Sequence, residues 1–171
     1  TNVSHIPKFI TSKNNKHAGS SYILMEYIDG PSLVEYTHSQ PDSRLSEEEA
    51  VRIIKDLAKT VGKLHASTIC YRDMKPENVI IPTDGKEPHL IDFGISGKLG
   101  ADQDVFPAGT KGYLAPEQQL KNDETGWVKF PLNVQFDIFG LGATLAFMLT
   151  GVSPTTPAKT VEKFDVYTPI D

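Results

Sequence analysis

Three polar islands interrupt an otherwise ordinary alternation of apolar and polar residues. The first is Tyr71-Arg72-Asp73-Met74-Lys75-Pro76-Glu77-Asn78. The second is Asp92-Phe93-Gly94, and the third is Gly109-Thr110-Lys111-Gly112-Tyr113-Leu114-Ala115-Pro116-Glu117. Asp73, Asn78 and Asp92 offer oxygen, the ligand type that Mg²⁺ demands. Asp73 and Lys75 stand two apart on one loop, where a carboxylate and an ammonium can address a hydroxyl nucleophile and a phosphate. Gly94 permits an unusual backbone turn after Asp92 and Phe93. Taken singly, Asp73 reads as a turn residue and Asp92 as a strand-end cap. Taken with Lys75 and Asn78, they read as a Mg²⁺-phosphate site with a carboxylate base beside it.

The elements that must position these residues are legible from pattern. Ile6–Ile10 reads as one short strand, Lys13–Ser21 as a turn, and Tyr22–Tyr27 as a buried strand. Pro31 suits the first turn of a short helix over Ser32–Ser39. Ser46-Glu47-Glu48-Glu49 predicts a capping box in which the Ser46 hydroxyl takes the Glu49 amide and the Glu49 side chain reaches back. Ala50, Ile53, Ile54, Leu57, Val61 and Leu64 then give one apolar helix face as far as about Ala66. Val79–Ile81 and His89–Ile91 flank Thr83-Asp84-Gly85 as a hairpin. Residues 94–136 are rich in glycine and proline and read as long functional loops, with one short helix after Pro116. Asp137–Thr150 is a buried helix with Asp137 at its N-cap, stopped by Gly151. From Val152 the chain reads as extended.

Composition excludes several classes. The chain has 171 residues with 39% hydrophobic and 23% charged residues, enough for one packed domain and not a disordered one. A net charge of −5 argues against nucleic acid as a partner. One cysteine, Cys70, allows no internal disulfide and reads as a buried thiol in a reducing, cytoplasmic setting. The longest apolar run, Ile138–Leu149, is too short to cross a bilayer. The five histidines lack metal-ligand spacing, so no zinc site is expected. Gly94–Lys98 lacks P-loop spacing.

In order and spacing the three islands resemble the eukaryotic-type (Hanks-type) protein kinase family, and most of all its bacterial Ser/Thr members. Tyr71-Arg72-Asp73 is similar to H-R-D, with Lys75 and Asn78 at the family's offsets. Asp92-Phe93-Gly94 matches D-F-G, and Ala115-Pro116-Glu117 matches A-P-E. The resemblance covers about residues 6–151. It implies an α+β, protein-kinase-like two-lobed fold. This chain would hold the last small-lobe strands and the hinge in residues 1–28, and most of a mainly helical large lobe in residues 29–171. It implies ATP and Mg²⁺ as cofactors and a protein substrate with a Ser or Thr hydroxyl. Asp73 would orient that hydroxyl and accept its proton, and Lys75 would meet the γ-phosphate. Thr110 would bond both Asp73 and Lys75 and form the floor for the substrate peptide. Asn78 and Asp92 would hold Mg²⁺. The Glu26 carbonyl and the Ile28 backbone would meet adenine, with Met25 as gatekeeper and Ile80 and Leu33 packed on the ring. Asp137 would anchor the catalytic loop, and Phe93 and Tyr71 would stack in the column that links the lobes.

The family's Gly-rich loop, strand lysine and helix glutamate are absent, and only 21 residues precede Tyr22. The chain therefore reads as the middle of a kinase domain, inactive as a fragment. Alternatives are a pseudokinase scaffold, the kinase module of a lanthipeptide synthetase, and a small-molecule phosphotransferase of the aminoglycoside-kinase type. The intact Asp73, Lys75, Asn78 and Asp92 argue against the first, and the Lys-Pro pair and A-P-E against the last. Arg72 marks kinases in which this arginine pairs with an activation-loop phosphate, yet no Ser, Thr or Tyr lies between Gly97 and Gly109. Asp102 or Asp104 is expected to substitute for the phosphate. Asp102→Asn with Asp104→Asn should then lower phosphotransfer by the full-length enzyme, and unchanged activity would remove the idea.

Overall fold

The computed structural model describes residues 4–15, 20–101, 108–119, 121–122, 126–127 and 131–154. The chain opens with an antiparallel ribbon of β1 (Phe9–Asn15) and β2 (Ser20–Met25), whose register slips between Phe9 and Thr11. Both strands therefore extend into the stretch that sequence assigns to a turn, and the first begins later than Ile6. A ribbon of two strands has no second layer to cover it. Phe9, Ile10, Tyr22, Ile23 and Leu24 accordingly stand half or more exposed.

After the ribbon comes the short helix α1 (Leu33–His38). Its cap is the full capping box: the Ser32 hydroxyl accepts the Glu35 amide, and the Glu35 carboxylate accepts the Ser32 amide at 2.8 Å. The expected box at the next helix, α2 (Glu47–Ala66), is only half formed. Ser46 accepts the Glu49 amide at 3.3 Å, but the Glu49 carboxylate turns sideways to the Tyr36 hydroxyl at 2.5 Å. A neighbouring helix offers Glu49 a better donor than its own cap.

Three two-residue pairings organise the middle of the chain. β3 (Ile69–Cys70) pairs with β6 (Gly97–Lys98), and β4 (Val79–Ile80) pairs with β5 (His89–Leu90) as the expected hairpin. β7 (Lys121–Asn122) pairs with β8 (Gly126–Trp127) inside the region read as loop. Pairs this short carry no period-2 signal, so sequence pattern misses all but the hairpin. The helix expected after Pro116 is a 3-10 turn over Pro116–Gln119.

The last described helix, α3 (Val134–Thr150), starts three residues earlier than expected. Asn133 is its N-cap, accepting the Gln135 amide at 3.0 Å, and Gly151 ends it in the left-handed conformation at φ 70. Asp137 is thus not a cap but a residue of the helical first turn, fully buried. No helix among the described residues is long and apolar enough to cross a membrane.

The core lies where α2 meets α3 and the strands between them. Ala50, Ile53, Leu57, Val61 and Leu64 of α2 join Tyr71, Met74, Val79, Leu90 and Met148 in one buried cluster. A smaller cluster of Cys70, Ala115, Leu132 and Phe136 sits beneath β3. Burial there, with Asp137 next in influence, pushes the Cys70 thiol up to about 12 from 9.0. A folded pKa above the unfolded one means stability is full below about pH 9 and drains as pH climbs toward 12. Iodoacetamide at about pH 8.5 should leave Cys70 unlabelled in the native protein and label it on unfolding. Rapid native labelling would contradict this burial.

Candidate active site

The loop 71–78 leaves β3 and enters β4, and its shape is imposed from below by Asp137. One carboxylate oxygen accepts the Tyr71 amide at 2.9 Å and the other accepts the Arg72 amide at 2.7 Å. His65, in the last turn of α2, places Nε2 2.7 Å from the same carboxylate. A carboxylate without solvent is tolerable only with such a donor set. The three contacts tie both long helices to the loop. They also hold Arg72 in the left-handed region, at φ 74. The Arg72 guanidinium donates to the Ile95 carbonyl at 3.1 Å. Asp102 and Asp104, expected to face it, lie outside the described residues.

Asp73 follows at once, and its carboxylate is surrounded. Thr110 Oγ1 donates to Oδ1 at 2.8 Å. Asn78 Nδ2 donates to Oδ2 at 2.8 Å and to the Asp73 carbonyl at 3.0 Å. Lys75 Nζ lies 2.9 Å from Oδ2 and donates to Thr110 Oγ1 at 2.7 Å. Asp73, Lys75 and Thr110 thus form a closed triangle, although 35 residues separate the last two. The side chains of Lys75 and Asp73 keep 19% and 11% exposure, so the triangle lies close to the surface.

The hairpin register brings the second island to the first. The Ile91 amide donates to the Asn78 carbonyl at 2.9 Å, one step beyond the Val79–Leu90 pair. Asn78 and Asp92 therefore stand side by side at the open end of the hairpin. Among the described residues no group of three or more His, Cys, Asp or Glu side chains could hold a metal ion. A pair of protein oxygens is nonetheless the donor set that suits Mg²⁺, which keeps waters and takes phosphate oxygens for the rest. The unusual backbone belongs to Asp92 itself, at φ 59, and not to Gly94 as expected. Asp92 Oδ1 accepts the Gly94 amide at 3.0 Å, the local bond that lets an aspartate adopt this conformation.

Tyr71 and Phe93 meet edge to face, with centroids 5.0 Å apart. The Tyr71 hydroxyl donates to the Ile91 carbonyl. Burial, then the charges of Asp73 and Asp92, push its pKa well up, so it stays a donor at working pH. Sequence reading assigned Tyr71 only a stacking role, and it weighed His65 only as a metal ligand. The available signal for His65 is its place in the last turn of an amphipathic helix, six residues before the island that begins at Tyr71.

The expected adenine residues divide. Glu26 is fastened to β1: its amide donates to the Lys8 carbonyl at 2.8 Å and its carboxylate accepts the Lys8 amide at 3.1 Å. Met25 is 42% exposed at the end of β2. Ile28 and Ile80 are half-buried, and Ser32 bridges to Ile80, so the segment after β2 lies along β4. Leu33 is a correction. It is fully buried in the main core and offers no surface to a ring, because α1 turns it inward. An open cavity of about 390 Å³ lies between α1 and the end of α3, lined by Val34, His38, Glu77, Tyr113, Phe147 and Val152 among others.

Residues 1–168 match the family described as the protein kinase domain. A protein of Mycoplasma pneumoniae named as a serine/threonine-protein kinase is 33% identical over 168 residues, covering 84% of this chain and 42% of the relative. The serine/threonine-protein kinase Sch9 of Saccharomyces cerevisiae is 37% identical over 133 residues, covering 78% of this chain and 15% of its own length. A protein of Lactococcus lactis named as the serine/threonine-protein kinase PknB is 33% identical over 136 residues, covering 78% of this chain and 20% of the relative. The chain spans less than half the length of each.

Asp137→Ala should leave the Tyr71 and Arg72 amides buried without an acceptor, at a cost of about 1–3 kcal/mol for each. Urea unfolding measures this. His65→Ala, which removes a donor and leaves both amides paired, should cost less.

Proposed function

This chain belongs to the protein kinase family, and from that premise we propose that it forms the phosphoryl-transfer centre of a serine/threonine protein kinase. The observation that carries the reading is the Asp73–Lys75–Thr110 triangle with Asn78 beside it. Asp73 is 9% exposed, fixed by three side chains. It orients the acceptor hydroxyl for in-line attack on the γ-phosphorus and takes up its proton. Lys75 meets the charge that grows on the transferring oxygens. Thr110 keeps the two in register and ends the floor on which the acceptor lies.

ATP is the donor. Asn78 and Asp92 would hold Mg²⁺, which when bound neutralises charge on the phosphates. Met25, Glu26, Ile28 and Ile80 form the adenine edge. The Ile28 amide and carbonyl make no hydrogen bond among the described residues, which suits a role in reading the base. Leu33 supports this edge from inside the core.

A polypeptide acceptor is supported by the open cavity between α1 and the end of α3, which two residues of the site's own segments help to line. Its Glu77 comes from the catalytic loop and its Tyr113 from the segment that carries Thr110. Ser or Thr as acceptor follows the names of the relatives. We assign residues 1–28 to the end of the small lobe and hinge and residues 29–171 to the large lobe, in a cytoplasmic enzyme. In the full-length protein, Asp73→Asn should lower kcat by about 10²–10⁴-fold with nucleotide binding retained. Undiminished transfer to a protein acceptor from γ-labelled ATP would overturn the reading.

A further inference from the structure

The cavity between α1 and the end of α3, at about 390 Å³, falls toward the lower end of the range for ligand pockets. Two of its lining residues belong to segments of the phosphoryl-transfer site. Glu77 directly precedes Asn78, whose side chain is bonded to Asp73. The Tyr113 amide donates to the Thr110 carbonyl at 2.9 Å, so Tyr113 sits one turn from Thr110. Apolar side chains line much of the rest: Val34 of α1, Phe147 of α3 and Val152 two residues beyond its end. The polar groups of the wall are engaged with one another. His38 places Nε2 3.1 Å from the Gly151 carbonyl, and its ring tilts against Phe147 with centroids 5.5 Å apart. Ser153 hydrogen-bonds the Tyr113 phenol, and burial, then the charge of Glu77, push that phenol's pKa well up, so it stays neutral. Glu77 is the one carboxylate among the described lining residues, and it is exposed.

We propose that this cavity seats an apolar side chain of the acceptor polypeptide, Leu, Met or Phe, at one fixed offset from the Ser or Thr that receives the phosphoryl group. The inference rests on the kinase reading and adds to it a class of acceptor. The occupant is the acceptor itself because the lining is continuous with the segments that carry Asp73 and Thr110. Its side chain is apolar because of what the wall offers. A cation entering here would leave water for a lining whose Gly151 carbonyl and Tyr113 phenol are already engaged. At Glu77 it would meet a carboxylate still in solvent, where an ion pair is screened and contributes little. An apolar side chain gains by leaving water for Val34, Phe147 and Val152.

The test presents the full-length protein with γ-labelled ATP and an array of Ser- and Thr-centred peptides in which each flanking position is varied in turn. One position should favour Leu, Met or Phe over Ala about ten-fold in kcat/KM. Val34→Asp, which puts a carboxylate into the wall and suits the first turn of α1, should cut that ratio to about two-fold or less. Val152→Asp should do the same from the opposite side, so a folding defect in one variant leaves the other to decide. The ratio is read within each variant, and a general loss of activity cancels from it. A parent that transfers phosphate with no flanking preference overturns the proposal. So does a parent that favours Arg or Lys and loses that preference in Glu77→Gln, which would make the pocket a reader of cations. An apolar preference that survives both Val34→Asp and Val152→Asp removes the cavity as its source. A full-length parent that transfers phosphate to no peptide or protein overturns the kinase reading instead, and the acceptor assignment with it.

Discussion

Asp137 has no exposure to solvent, and the loop 71–78 is held in its shape because this carboxylate accepts two of its amides. Removing an ion from water is expensive, and the expense is offset here by three donors: the adjacent Tyr71 and Arg72 amides and His65. Two of them belong to the loop and the third to α2. The contact therefore works as a joint between α2, α3 and the loop. Loops without regular hydrogen bonding are mobile by default. This one is held by an acceptor on a rigid helix, a better support than its own short flanking strands could give.

Two residues of the site hold left-handed backbone without being glycine, Arg72 at φ 74 and Asp92 at φ 59. Such conformations persist only where the surroundings over-determine them. At Arg72 the over-determination comes from Asp137 on the amide and from the Ile95 carbonyl on the guanidinium. At Asp92 it comes from the residue's own carboxylate on the Gly94 amide. The two are joined through Tyr71, which bonds the Ile91 carbonyl and packs on Phe93. The strained points of the first and second islands are thus one connected unit, and a shift at either must pass through a buried tyrosine.

The chemistry-bearing residues were the most legible part of this chain. Asp73, Lys75, Asn78 and Asp92 sit at spacings that reach across loops; Lys75 and Asn78 meet the Asp73 carboxylate, and Asp92 follows the strand that pairs with β4. The long helices were legible from period, because α2 buries one face throughout. What pattern could not supply was competition between neighbours. Glu49 suits a capping box, yet the Tyr36 hydroxyl takes it. Asp137 looks like a cap, yet Asn133 begins the helix and frees it to reach the loop. Leu33 is expected against the adenine ring, yet α1 directs it into the core. In each case the deciding partner is remote in sequence or belongs to another element. Two-residue strands such as β3 and β6 fail for a simpler reason: they are too short to have a period.

Exposure rises along the path from anchor to chemistry. The Asp137 side chain is fully buried, that of Asp73 is 11% exposed, and that of Lys75 is 19% exposed. This order has a physical logic. Groups that fix geometry gain from low dielectric, because every hydrogen bond there is stronger and water cannot compete. A group that must exchange a proton with a substrate cannot be sealed in the same way. It needs fixed orientation and an open side. Thr110, Lys75 and Asn78 give Asp73 the orientation, and the partial exposure of Asp73 and Lys75 keeps the pair near the surface. The anchor on α3 and the more exposed side chains of the loop are then separate residues on separate elements. Mutations at the buried end should act through displacement of the reactive end, while those at the open end act on charge and proton transfer directly.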